Sequence, residues 1–552
     1  MEQHFCCIVL NMKTNEKKSL GVMIDMSRNG VMNLPSLKGF LEIVKKMGYN
    51  TVFLYMEDTY EVENEKYFGY MRAKYSVEEM KEIDDFCFQL GIEAIPCIQT
   101  LAHLKTYFKW NQADVDCDDI LLVDSKRTYD LIGNMFKTLS SCFRSNKIHI
   151  GMDEAHMLGR GNYFSKNGNK PSYEIIKSHL KKICEIAKPY NYQLLLWSDM
   201  FFRFWNKGEY YFNDTVSVPK EAREALPENV VPVYWDYYSD TEEKYSTMIK
   251  MHKQLSKDVW FAGGAWCWTG FAPLNKLSVR LMKEAMTACR KNRVENVFIT
   301  MWGDDGMECS HFSQLPALLT IAEYYTGNFD MEKIKKKFKR IVGVEYEDFI
   351  KTDLPNFLDK EPDYAESPSK YMLYSDPFLG FLDYTVSKGA SKIYEAHKNE
   401  LLSVARKTRK YGYVFNTLAN LCSALEIKYE LGVRTREAYK NKNKEELMLI
   451  IKDYSEAQRR VKLFHRSLKN QWMKDNKPSG FEVQDARLGG LVMRLETCKS
   501  RLSDFVAGRI DKIEELEGEI LPLPFSKKPQ GEPIDYCAYG RIVTANVLTQ
   551  TT

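Results

Sequence analysis

The feature that most constrains the fold of this sequence is an alternation, repeated eight times, of a short β-rich apolar run with a longer amphipathic stretch. The runs are Ser19–Ile24, Thr51–Tyr55, Glu93–Ile98, Lys147–Gly151, Gln193–Leu196, Val230–Tyr234, Val259–Gly263 and Asn296–Met301. Between them, Leu37–Met47, Val77–Leu90, Ser172–Ala187, Glu242–Leu255 and Leu277–Lys291 carry apolar residues at helical spacing. Continuous apolar strands separated by helices specify parallel strands covered on both faces. Eight such units predict an α/β chain that closes into a (β/α)8 TIM barrel over residues 19–328, with an open doubly wound sheet as the alternative.

A chain of 552 residues exceeds what one core organises, so a second domain is expected. After Thr326 the strand-like runs stop and long charged amphipathic segments follow, among them Ala390–Lys410, Glu445–Leu468 and Ala486–Leu516. Residues 329–552 therefore read as an all-helical C-terminal domain, and residues 1–18 as a segment ahead of the barrel. One stretch, Asn476 to Gly490, breaks the helical rhythm with Pro478, Gly480 and a Gly489-Gly490 pair. It reads first as an interhelical loop, with a cap on the barrel mouth or a dimer contact as other uses.

Charge narrows the partners. With 78 basic and 75 acidic residues the chain carries no field strong enough to gather nucleic acid or an anionic membrane. The basic run from Lys333 to Arg340 reads as a solvated helix face. Thirteen scattered cysteines without a CxxC pair suit reduced thiols, and nine dispersed histidines without HExxH suggest no metal site. No cofactor is expected. The N-terminus lacks the basic region and cleavage site of a signal peptide, and no uninterrupted apolar run of membrane-spanning length occurs. The expectation is a soluble, cytoplasmic protein.

In a TIM barrel the chemistry collects at the C-terminal ends of the strands. Here those ends carry Asp25-Met-Ser-Arg28, Glu57-Asp58, His103, Asp153-Glu154, Trp197-Ser-Asp199, Tyr234-Trp-Asp236-Tyr237, Trp266-Cys-Trp268 and Trp302-Gly-Asp304. Indoles offer flat apolar faces to the C–H faces of a pyranose, and carboxylates with arginine bond its hydroxyls. The combination points to a sugar. Cleaving a glycosidic bond needs a carboxylic acid at the leaving oxygen and usually a second carboxylate. Asp153 and Glu154 are neighbours on a strand, so they face opposite sides unless the pleat breaks there.

At these residues the sequence resembles glycoside hydrolase family 20, the β-N-acetylhexosaminidases, whose fourth strand ends in the same Asp-Glu pair. The resemblance covers residues 20–325 and implies an exo-acting enzyme that releases terminal β-linked N-acetylglucosamine or N-acetylgalactosamine, the former preferred, from an oligosaccharide or glycoconjugate. It implies Glu154 as general acid/base, with a raised pKa, and Asp153 as the group steering the substrate's own acetamido nucleophile in a retaining, oxazolinium mechanism. Arg28 looks like the ligand of the sugar hydroxyls, and Asp58 with His103 like a relay behind the acid carboxyl. Tyr234 and Asp236 resemble the family's Y-x-D element, the tyrosine binding the acetamido oxygen, with Tyr237 competing for that role. Trp302 and Asp304 resemble its W-x-E element with Asp in place of Glu; Trp197, and Trp266 or Trp268, complete the aromatic pocket, and Asp199 joins the substrate-binding candidates. The likeness is to the shorter subgroup, a barrel followed by helices, and it implies a homodimer.

Taken singly, these residues have ordinary structural uses: an Asp-Glu pair caps helices, an arginine pairs on the surface, a histidine or tryptophan fills a core. The specific signal is their order around one rim. Two rivals stand beside this reading, a catalytically silent barrel that binds amino sugars and another acetamido-assisted hydrolase. For the latter, the D-x-x-D-x-D-x-E string of family 18 is absent, and family 84 places Asp-Asp where this chain has Asp153-Glu154.

Overall fold

Strand β1 (Leu20–Asp25) pairs in parallel with both β2 (Thr51–Tyr55) and the last strand of the sheet, β8 (Asn296–Met301), with Leu20 opposite Val297 and Gly21 opposite Thr51. That double pairing closes the sheet and excludes the open alternative. The computed structural model describes residues 18–358, 361 and 363–546; all but one residue of the expected N-terminal segment 1–18 lies outside the described residues. The remaining strands are β3 (Glu93–Cys97), β4 (Lys147–His149), β5 (Gln193–Trp197), β6 (Val230–Trp235) and β7 (Trp260–Gly264), each hydrogen-bonded to its neighbours in chain order around the ring.

Side-chain alternation divides each strand between two cores. Met23, Phe53, Ile95, Leu195, Val231, Val233, Ala262 and Phe298 fill the lumen, with Tyr55, Cys97, Trp197 and Trp260. The intervening residues, such as Val22, Ile24, Val52, Leu54 and Tyr234, pack outward against the surrounding helices. Those helices include α1 (Leu34–Met47), α2 (Val77–Leu90), α3 (Lys126–Ser140), α4 (Ser172–Ala187), α5 (Glu242–His252), α6 (Asn275–Lys291) and α7 (Leu315–Thr326). Their ends carry local signals: Ser76 and Glu79 form a reciprocal capping box on α2, and Gly91 closes it at φ 64°. A two-stranded ribbon, Val115–Cys117 with Ile120–Leu121, interrupts the β3–β4 connection. It was not foreseen, being short and polar.

Helices α8 (Ala390–Lys407), α9 (Gly412–Lys428), α10 (Lys444–Asp475) and α11 (Glu482–Val506) form the bulk of the C-terminal part. The break expected across 476–490 is confined to residues 476–481; helix resumes at Glu482 and runs through Gly489 and Gly490. Each glycine costs about 1 kcal/mol against alanine in a helix, but Leu488, Leu491 and Leu495 bury one face and carry the helix through them. The turn itself docks on the barrel. Asn33 N–H donates to Asp475 O (3.1 Å) and Lys477 N–H to Val31 O (2.7 Å), while Asp475 accepts from Ser310 Oγ (2.6 Å). The stretch is thus the interhelical loop first expected, and it also contacts the loops at the barrel mouth. Among the described residues no helix is long and apolar enough to cross a membrane.

Candidate active site

The pleat does break at the end of β4. The strand stops at His149, and Gly151 (φ 73°), Met152 (φ 74°) and Glu154 (φ 50°) all take left-handed backbone. Only glycine fits at 151, since a Cβ there would lie 2.1 Å from Gln99 Oε1 and 2.7 Å from Ile98 O. The result is that Asp153 and Glu154, which a regular strand would send to opposite faces, line one cavity of about 240 Å³ over the lumen. Non-glycine residues held at positive φ cost stability and concentrate at functional sites.

Asp153 is locked. Its Oδ1 accepts from Gln99 Nε2 (2.8 Å), whose amide also donates to Tyr55 Oη (2.9 Å) and accepts from Met152 N–H (3.2 Å). Its Oδ2 lies 3.2 Å from His103 Nε2, an ion pair set off the line of a well-aligned hydrogen bond. Burial alone would raise the Asp153 pKa, but the close His103 charge and the bond from Gln99 outweigh it and hold the carboxyl below its ordinary value. Burial opposes a charge on His103 in turn, and Asp153 overrides it, lifting the imidazole to about 10. Glu154 differs: among the described residues nothing hydrogen-bonds its carboxyl, and its side chain is 45 % exposed. Enclosure by the walls, then the Asp153 charge, raise its pKa. Two adjacent carboxyls are thereby driven in opposite directions.

Around this pair the walls are aromatic. Trp302 Nε1 donates to Tyr237 Oη (3.0 Å) and its ring meets Tyr55 edge-on at 4.7 Å. Trp197 lies beneath, 5.9 Å from Trp302. Trp235, Tyr238 and Trp268 complete the lining, and Arg28 with Asp304 forms its polar corner. Arg28 is ion-paired to Glu57 and lies 3.7 Å from Asp304 through Nε.

Several expected assignments change, each for a geometric reason. Tyr234 does not reach the cavity: Val231, Val233 and Trp235 point inward along β6, so Tyr234 points outward, packed on His252 at 4.7 Å and donating to Asp236 Oδ2 (2.6 Å). Tyr237 is the tyrosine that lines it. Asp236 is consumed by its own turn, accepting from Tyr234 Oη, the N–H groups of Tyr238 and Ser239, and Ser239 Oγ. Asp58 is not paired with His103; it binds Arg72, which also donates to Ser27 O and so ties the first two strand-end loops together. The carboxylate on the Nδ1 side of His103 is instead Asp119, on the turn of the ribbon, which accepts from the His103 backbone N–H (3.1 Å) and sits 3.8 Å from Nδ1. Trp266 stacks behind Trp268 at 4.2 Å and donates to Tyr237 O, outside the cavity wall. Asp199 stands behind the site, its Oδ2 accepting from Glu154 N–H (3.1 Å) and Arg203 Nε (3.3 Å). Burial and the Asp153 charge raise its pKa to about 7.

Glu57, Gln99, Asp119 and Trp235 were not singled out as site residues. Glu57 and Trp235 were legible as neighbours of chosen residues with the opposite strand parity. Gln99 directly follows the third apolar run, the same strand-end position as the other candidates, whereas Asp119 has no such signal.

Residues 346–534 match the family described as Glycoside Hydrolase 20C C-terminal domain. Hexosaminidase D of Homo sapiens is 24 % identical over 223 residues, which cover 37 % of this chain and 42 % of that protein. Hexosaminidase D of Bos taurus is 22 % identical over 257 residues, 43 % of this chain and 66 % of that one. The chain thus spans less than two thirds of either curated relative. The solved β-N-acetylhexosaminidase from Bacteroides fragilis NCTC 9343 overlays with a TM-score of 0.45 at 16 % identity, covering 59 % of this chain and 70 % of that chain.

Proposed function

We propose that this chain is a member of glycoside hydrolase family 20, whose 20C C-terminal domain matches residues 346–534, and that its barrel is an exo-acting β-N-acetylhexosaminidase working through the substrate's own acetamido group. The observation that carries the proposal is the split pair: Asp153 bonded to Gln99, paired with His103 and lowered in pKa, Glu154 adjacent, half-exposed and raised in pKa, both facing one aromatic cavity.

The chemistry follows from that split. A terminal N-acetylhexosamine stacks on the indole walls, with Arg28 and Asp304 taking its outer hydroxyls. The acetamido oxygen attacks C1 while Glu154 protonates the leaving oxygen, giving an oxazolinium ion. Asp153 accepts the acetamido N–H and stabilises the positive charge that grows there, an interaction strongest in the transition state. Glu154, now a carboxylate, removes a proton from the water that opens the intermediate at C1, and configuration is retained. Tyr237, on the wall, is the group for the acetamido oxygen. A cavity of about 240 Å³ falls below the range usual for drug-sized ligands, which suits one terminal sugar and supports exo action.

The test is release of p-nitrophenol from its β-N-acetylglucosaminide, β-N-acetylgalactosaminide and β-glucoside by the wild type and by Glu154→Gln. Cleavage confined to the acetamido substrates and lost in the variant is expected, with the gluco-configured one preferred. Comparable cleavage of the plain glucoside would overturn the acetamido mechanism, and binding of N-acetylglucosamine without cleavage would mark a silent sugar-binding barrel.

A further inference from the structure

The loop after β8 carries Trp302 and Asp304 to the cavity, and it is pinned on both sides of Asp304. On the barrel side, Gly303 N–H donates to Asp25 Oδ2 (2.9 Å). On the other side, Asp305 binds groups that all come from the C-terminal part. Its Oδ1 accepts from Arg487 (2.9 Å), its Oδ2 from Lys370 Nζ (2.7 Å) and Tyr539 N–H (2.7 Å), and its carbonyl from Arg487 (2.6 Å). Glu308, three residues on, joins the same cluster, 2.8 Å from Lys370 Nζ and 3.0 Å from Arg487. The Lys370 side chain is 0 % exposed.

Two carboxylates against an ammonium and a guanidinium make the cluster neutral, the condition under which buried charges are tolerated. The backbone between them is unusual. Asp305 (φ 54°), Gly306 (φ 118°) and Met307 (φ 53°) take positive φ in succession, a conformation that persists only when its surroundings impose it. Gly306 stands against the Arg487 and Gln484 side-chain ends, and its φ of 118° is one that L side chains rarely adopt.

We propose that Arg487 and Lys370 are positioning residues for the substrate, holding Asp304 at the cavity from the C-terminal domain through Asp305. The helical domain is therefore part of the binding apparatus, and the barrel without it lacks one wall of its sugar site. What Asp304 binds rests on the glycosidase reading above; the staple itself does not.

The experiment uses the full chain with Arg487→Met and Arg487→Lys, read by hydrogen–deuterium exchange of residues 302–308 and by KM and kcat on the p-nitrophenyl acetamido glycoside. In Arg487→Met the loop exchanges faster while the lumen strands do not, and KM rises on the order of tenfold with kcat changing far less, because ground-state and transition-state contacts to Asp304 are lost together. Arg487→Lys, which keeps the charge and one donor, recovers part of both. A merely structural role would instead lower the folded fraction, reducing apparent kcat at unchanged KM. Unchanged exchange, or faster exchange with unchanged KM, overturns the proposal. Should Arg487→Met not fold, Arg487→Gln takes its place under the same reading. If the wild type cleaves no acetamido glycoside, the glycosidase reading falls and loop exchange alone decides the staple.

Discussion

His103 Nε2 stands 3.2 Å from Asp153 Oδ2 and 3.8 Å from Glu154 Oε2, so a single imidazolium faces both members of the carboxyl pair. It lowers the pKa of each, though for Asp153 it also offsets burial and for Glu154 it works against the dominant upward push. In the proposed reaction Asp153 must be anionic and Glu154 protonated, which sets the acid and alkaline limbs of kcat/KM respectively. In His103→Asn both limbs move to higher pH, and activity at the optimum falls about 10–100-fold as Asp153 loses its lock. A pH–rate profile that keeps its limbs in the variant would remove His103 from this role.

The same ion pair has a signature in stability. His103 is raised from 6.5 to about 10, so its contribution is complete below 6.5 and lost as pH rises through 10. Asp153 is lowered from 3.8, so its contribution is present above 3.8 and lost as pH falls. These are two views of one interaction, and the melting deficit of His103→Asn is therefore largest between pH 3.8 and 6.5. Calorimetry across that window measures it, with a deficit of about 1–3 kcal/mol for a buried group left without its partner.

Tyr234 and Tyr237 separate stability from binding. Tyr234→Phe removes a buried hydrogen bond to Asp236 and costs about 1–2 kcal/mol with KM unchanged. Tyr237→Phe takes a hydroxyl from the cavity wall, where it also anchors the Trp302 indole, and raises KM for the acetamido substrate with a small change in melting temperature. Parallel kinetics and melting curves on the two variants check the division; the opposite pattern would return Tyr234 to the site.

Gly151→Ala tests the broken pleat. The added methyl meets Gln99 Oε1 and Ile98 O at distances no Cβ tolerates, at a φ of 73°. The expected cost is about 2 kcal/mol or more, because the Ile98 carbonyl is main chain just past the end of β3 and cannot move aside as a flexible side chain could. Gln99 is pushed off Asp153, so kcat falls more than the loss of folded protein accounts for. Activity per folded molecule that matches the wild type would show that the turn does not position the pair.

The legible part of the site followed strand ends. Arg28, His103, Asp153, Glu154, Trp197, Tyr237, Trp268, Trp302 and Asp304 all line the cavity, because barrel topology forces the ends of successive strands onto one rim. Misassignments came from parity and from partners distant in sequence. Tyr234 and Trp235 differ by one residue and face opposite cores. Asp58 lies one residue from Glu57, and only Glu57 meets Arg28. Nothing local in Asp119 announces that a polar hairpin will carry it under His103.

The eight parallel strands, the helical C-terminal part and the rim on which carboxylates and indoles meet are legible in the residues alone, because hydrophobic periodicity and strand-end position are properties of short windows. The tertiary structure gave the physical cause of the raised Glu154 pKa that the resemblance implied, since a pKa depends on burial and on charges from distant segments: His103 and Gln99 offset burial at Asp153, while the cavity walls and the Asp153 charge push Glu154 up. It also placed Arg487 of helix α11 on Asp305, the neighbour of Asp304, 182 residues earlier in the chain, a relation between surfaces that no local pattern encodes.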